Sequence, residues 1–127
     1  MGKGRIVMVG GDPDVTRTLQ VYLEAYQFSV QVLKRGDEAL AACYQSPPDA
    51  MILNWQLPDM EGHRLCQQIR ADEGAAGTFI LALLSGGERD VRLAALEAGV
   101  DDVIALPIDM EQIRLRIQKA LRLEDTR

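Results

Sequence analysis

Short apolar, β-branched runs alternate along this chain with segments whose apolar residues recur every three or four positions. No other feature constrains the fold as tightly, because each period belongs to one kind of element. Residues 5–9 form the first run, stopped by Gly10 and Gly11, and read as a strand covered on both faces. Asp12, Pro13 and Asp14 then mark a helix start, with Asp14 the expected N-cap; Val15, Leu19, Tyr22 and Tyr26 follow at helical spacing and Leu23 widens the stripe. Residues 28–33 switch to strand-like alternation. A helix from Gly36 is stopped by Ser46, Pro47 and Pro48, and residues 50–53 make a third strand. A helix from Gly62 to Arg70 presents Leu65, Cys66 and Ile69 inward. The most apolar strand, residues 78–84, is expected at the centre of the sheet. A helix ending at Gly99, a strand at 103–106 and a helix marked by Ile113, Ile117, Ala120 and Leu121 complete the order.

Strict alternation of strands and helices predicts one parallel sheet covered on both faces, because right-handed crossovers place helices on each side. With 127 residues, 47% of them apolar, the chain suffices for one continuous core, so residues 1–127 are expected to be one domain. The fold class is α/β, a single doubly wound five-stranded parallel sheet. Ligands in such folds sit outside the carboxyl ends of the strands near the switch in strand order. That rule selects Gly10, Gly11, Asn54, Leu84, Ser85 and Leu106.

Composition narrows the function. The 14 basic and 19 acidic residues give a net charge of −5 and form no basic stripe, so direct nucleic-acid binding is not expected. Cys43 and Cys66 lack metal-site spacing, and His63, the only histidine, has no partner at ligand spacing. No apolar run reaches the roughly 18 residues of a membrane span, and a cytoplasmic location is expected. A dinucleotide turn is not expected, because the residues after the first strand, GGDPD, lack GxGxxG spacing and Pro13 has no amide to offer a phosphate. Met8, Met51 and Met60 suit core or loop contacts, while Trp55 beside Asn54 suits core packing and partner contact equally.

Residues 49–62, DAMILNWQLPDMEG, resemble the signature of CheY-like receiver domains, in which an aspartate ends the third strand. EAGVDD at 97–102 and LPID at 106–109 resemble the family's EAGADD and KPFD, and the landmarks align without gaps. The resemblance implies the (βα)5 flavodoxin-like receiver fold of two-component signalling. It also implies which positions carry the chemistry. Asn54 stands where the family has its phospho-accepting aspartate, and a carboxamide has no ionised oxygen to attack phosphorus. Gly10 and Gly11 replace the acidic pair that holds Mg²⁺. Leu84 replaces the hydroxyl residue, Leu106 the lysine and Val103 the switch aromatic. The chain therefore resembles a receiver that has lost phosphorylation and Mg²⁺ binding, with no cofactor expected. Losing the acids also removes a repulsion of up to roughly 4 kcal/mol for carboxylates about 4 Å apart.

With the cleft silenced, the resemblance shifts the expected work to protein recognition: a protein partner, a fused output domain, or a homodimer through the fourth helix, fifth strand and fifth helix. By alignment, the apolar patch of that face is Leu93, Leu96 and Leu115, with Arg92, Asp101, Asp102 and Arg116 at charged positions. Gln112 and Gln118 replace charges the family supplies there, so the patch carries the dimer expectation. Two alternatives stand beside it: a small-ligand sensor using the emptied cleft, and phosphorylation at an unusual residue such as Asp59 or Ser85.

Overall fold

The computed structural model describes residues 2–123. The elements alternate as expected: β1 (Gly4–Val9), α1 (Pro13–Ala25), β2 (Phe28–Leu33), α2 (Gly36–Gln45), β3 (Ala50–Asn54), α3 (Gly62–Ala71), β4 (Phe79–Leu84), α4 (Arg89–Ala98), β5 (Asp102–Ala105) and α5 (Met110–Ala120). All neighbouring strands pair in parallel in the order β2-β1-β3-β4-β5. The middle strand is thus β3, not β4 as its apolarity suggested. A continuous apolar run reports coverage on both faces, which β1, β3 and β4 share, and says nothing of rank within the sheet.

Strand alternation sorts the core into two layers. Val7, Val9, Met51, Leu53, Ile80, Ala82 and Leu84 face Leu40, Cys43, Leu65, Cys66 and Ile69 of α2 and α3 and Ala95 of α4. Ile6, Met8, Ala50, Ile52, Leu81 and Leu83 face Leu19 and Leu23 of α1 and Ile113 and Ile117 of α5. Each fully buried Leu or Ile contributes about 1.5–3 kcal/mol of apolar transfer, so a one-residue register slip would exchange the layers at large cost.

Three local expectations need correction. The N-cap of α1 is Asp12, whose Oδ1 accepts from the amides of Asp14 at 2.9 Å and Val15 at 3.1 Å, because Pro13 takes the first helical position. The inward stripe accordingly runs Thr16, Leu19, Leu23, and Val15 is exposed. In α5, Ala120 is exposed while Arg114 and Gln118 are buried, so Gln118 is not a surface position. Arg114 Nε donates to the Tyr22 hydroxyl at 2.8 Å, Arg114 Nη1 donates to Gln118 Oε1 at 3.2 Å, and the guanidinium lies 4.1 Å from the Tyr26 ring centroid. This cationic clamp joins α1 to α5. His63 is exposed, and among the described residues no helix is long and apolar enough to cross a membrane.

Candidate functional site

The carboxyl ends of β1, β3 and β4 and the turn after β5 converge on one cleft. Gly11, Asn54, Leu84 and Leu106 line a cavity of about 290 Å³ together with Trp55, Ser85 and Glu88. Five of the positions selected by the sequence, Gly11, Asn54, Leu84, Ser85 and Leu106, are thereby brought together. Gly10 is buried behind Gly11, and Val103 is buried in the core under α4, away from this lining. The Leu106–Pro107 peptide is cis.

Asn54 fixes the interior of the cleft. Its Nδ2 donates to the Val9 carbonyl at 3.2 Å, which sets the orientation of the amide. That arrangement requires the chain to pass close by, and Gly11 permits it: a Cβ there would lie 2.6 Å from Asn54 Nδ2. At Gly10 a Cβ would lie 2.6 Å from Leu57 Cδ2. Both glycines also have positive φ, +76° and +89°, a region costly for residues with a Cβ. The two glycines and the asparagine therefore interlock, a relation the sequence does not reveal because it joins β1 to β3 through space.

Magnesium demands several oxygen ligands, usually including carboxylates. Asp12 caps α1 through Oδ1 alone, Glu88 is exposed on the opposite rim, and no group of three or more His, Cys, Asp or Glu among the described residues converges on an ion site. The donor set does not fit Mg²⁺. Leu84, 1% exposed, offers no hydroxyl, and Ser85 is exposed beyond the strand end.

Asp59, which belongs to the LPDMEG turn, has a different occupation. Its Oδ1 accepts from the Gly36 amide at 2.8 Å and its Oδ2 from the Asp37 amide at 3.0 Å, with Arg35 at 3.9 Å. It caps α2 from across the molecule. Desolvation would raise its pKa, but the amides of Gly36 and Asp37 and the nearby Arg35 charge outweigh it and hold the carboxyl below its ordinary value. Both oxygens being engaged, nothing in this arrangement prepares Asp59 for phosphoryl transfer. Gly62 completes the turn: a Cβ there would meet the Trp55 carbonyl oxygen at 2.8 Å. Trp55 itself is half-buried, packed against the core on one side and lining the cleft on the other.

On the α4–β5–α5 face, Leu93, Leu96 and Leu115 are 42%, 43% and 38% exposed, so none is a core leucine. Arg92 is exposed beside them. The acidic positions are engaged internally. Asp102 Oδ1 accepts from Arg116 Nη1 at 2.8 Å, and Arg116 Nη1 also donates to the Val103 carbonyl at 3.0 Å. Asp101 Oδ2 accepts from Arg70 Nη2 at 2.6 Å and from the Ile80 amide at 2.8 Å. Arg70 also donates to the Gly99, Ala76 and Thr78 carbonyls, so Asp101 belongs to a tie between loops.

Comparison with known proteins agrees with this geometry. The model of the response regulator receiver domain matches residues 6–118. The chain is 30% identical over 121 residues to the DNA-binding dual master transcriptional regulator RpaA of Synechocystis, covering 95% of this chain and 50% of that protein. It is 33% identical over 122 residues to the transcriptional regulatory protein CreB of Escherichia coli, covering 96% and 52%. The chain thus spans about half the length of these curated relatives. Among solved structures, a two-component response regulator from Clostridium difficile superposes with a TM-score of 0.85 at 26% identity, covering 93% of this chain and 95% of that one.

Proposed function

We propose that this chain, which belongs to the response regulator receiver domain family, is a receiver of two-component signalling whose state is not set by phosphorylation. The observation that carries this reading is the Asn54 amide bonded to the Val9 carbonyl over Gly11. In-line attack on phosphorus needs an ionised oxygen, a metal to neutralise the transferring group and a cation to hold its charge. Here an uncharged amide, two glycines and Leu106 stand at those places. Without the phosphoryl group, phosphorylation no longer biases a two-state switch, so the recognition face is presented without it.

Its work is then recognition through the α4–β5–α5 face, where Leu93, Leu96 and Leu115 form an exposed apolar patch. A second copy of the chain is the partner that reading favours, with the patch rather than the internally paired Asp101, Asp102 and Arg116 providing the contact. An output domain or separate protein would act on this pair.

Trp55 lines the cleft and reports on it directly. Its fluorescence is expected to stay constant when Mg²⁺ and then acetyl phosphate or beryllofluoride are added; a saturable change overturns the reading. Leu115→Glu is expected to convert a dimer to a monomer by light scattering while leaving the chain folded by circular dichroism, since the side chain is 38% exposed in the single chain. An unchanged mass removes this face from consideration.

A further inference from the structure

The cleft continues into a second cavity, of about 240 Å³, between α1 and the turn that joins β5 to α5. Its floor is Met8, Leu19, Ile52 and Leu83, each no more than 2% exposed, and Leu106 and Ile108 form its far wall. It meets the first cavity at Gly11, Asn54, Leu83 and Leu106, which line both, whereas of these two cavities Leu19 and Ile108 line only the second. An apolar cavity of about 150 Å³ accommodates benzene, so by volume this largely apolar one suits roughly eight to ten heavy atoms.

The polar end is as selective as the walls. Asn54 Nδ2 donates to the Val9 carbonyl at 3.2 Å, and the Thr16 hydroxyl donates to the Pro13 carbonyl at 3.0 Å. Among the described residues Asn54 Oδ1 makes no hydrogen bond, so the side chains at this end present acceptors, Asn54 Oδ1 and the Asp12 carboxylate. Anions find no welcome at the adjoining start of α1. Pro13 has no amide hydrogen, the Asp14 and Val15 amides bond Asp12 Oδ1, and the Thr16 amide bonds the Asp12 carbonyl.

From this combination we infer that the cavity is a binding site for a small, neutral, largely apolar alcohol of phenolic size, its hydroxyl donating to Asn54 Oδ1 and its ring lying between Leu83, Leu106 and Ile108. The site goes beyond the receiver reading: Asn54, useless as a phosphoryl acceptor, serves as the ligand's hydrogen-bond acceptor. Occupancy would tie α1 to the β5–α5 turn and so reach the recognition face through α5.

The test is a ¹³C-methyl NMR titration of the full chain with p-cresol, p-xylene and benzoate. p-Cresol is expected to give saturable shifts at the methyls of Leu19, Leu83, Leu106 and Ile108. p-Xylene, equal in size but without a donor, is expected to bind about five- to tenfold more weakly, the worth of one neutral hydrogen bond. Benzoate is expected to give no shift at these methyls. Leu106→Trp fills the cavity from the turn and Val15→Trp closes it from α1; each is expected to weaken p-cresol at least about tenfold, and one stands if the other fails to fold. No saturable shift with p-cresol, or shifts that survive both variants, overturns the site. Equal affinity for p-xylene overturns the role of Asn54, and binding of benzoate at the same methyls overturns the neutral class. None of these outcomes depends on whether the chain accepts phosphoryl, which the Trp55 experiment decides separately.

Discussion

Asn54 differs from an aspartate by a single donor group, and that group makes the bond to the Val9 carbonyl. Substituting Asn54→Asp sets a carboxylate oxygen against a carbonyl in a half-buried position, an unfavourable exchange of about 1–3 kcal/mol. The variant is expected to melt lower at neutral pH and to gain no mass with acetyl phosphate. Its deficit should shrink on acidification, because the carboxyl regains a donor once protonated, and a melt series across pH checks this. Asp59 gives the opposite dependence. Its folded pKa lies below the ordinary value, so its stabilising contribution is full above about pH 3.9 and is lost as pH falls through the folded value. Asp59→Asn is expected to be less stable than the parent at pH 7, with the gap closing below about pH 3.9 as the parent carboxyl becomes neutral; a gap independent of pH would contradict the capping role. The cleft positions Gly11, Asn54, Leu84, Ser85 and Leu106 were legible in the sequence because each follows or ends a strand at the carboxyl edge of the sheet. Their new partners were not, since the Asn54–Val9 and Asp59–Gly36 bonds join residues far apart in the chain. The choice between Asp12 and Asp14 as cap was in principle readable: Pro13 prefers the first helical position, which puts the cap before it.

Among the elements, α5 is where pattern reading fell short. Ile113 and Ile117 gave its period, but a buried face containing Arg114 and Gln118 looks polar in sequence, and only the tyrosines of α1 make it tolerable. Burying a guanidinium is acceptable when its donors are used and an aromatic face lies against it. Arg114→Ala is therefore expected to cost about 2–3 kcal/mol in urea unfolding, through lost packing and a Tyr22 hydroxyl left without its donor. A cost under about 0.5 kcal/mol would mean that α1 and α5 hold together without the clamp. The strands were read more surely than their places. Alternation and apolar runs located all five, whereas the rank of β3 over β4 depends on which crossovers reverse direction, and no single strand encodes that.

For the molecule as a whole, the order of elements was enough to derive a doubly wound sheet and the end of it where a site belongs. A receiver with millimolar affinity for Mg²⁺ would gain about 1.4 kcal/mol from a tenfold excess of the ion, several degrees in melting temperature for a domain of this size. The present chain is expected to melt at the same temperature with and without Mg²⁺, and a rise of several degrees by calorimetry would refute the lost site. The interlock of Gly10, Gly11 and Asn54 also bears on the history available to such a sequence. An acid at position 11 collides with the Asn54 amide, and an acid at position 54 faces the Val9 carbonyl, so a one-step change at either position is worse than its starting point. On the proposed reading, loss of phosphorylation works as a ratchet: descendants of this chain can diversify the cleft, but restoring acids at both positions requires the substitutions to arrive together.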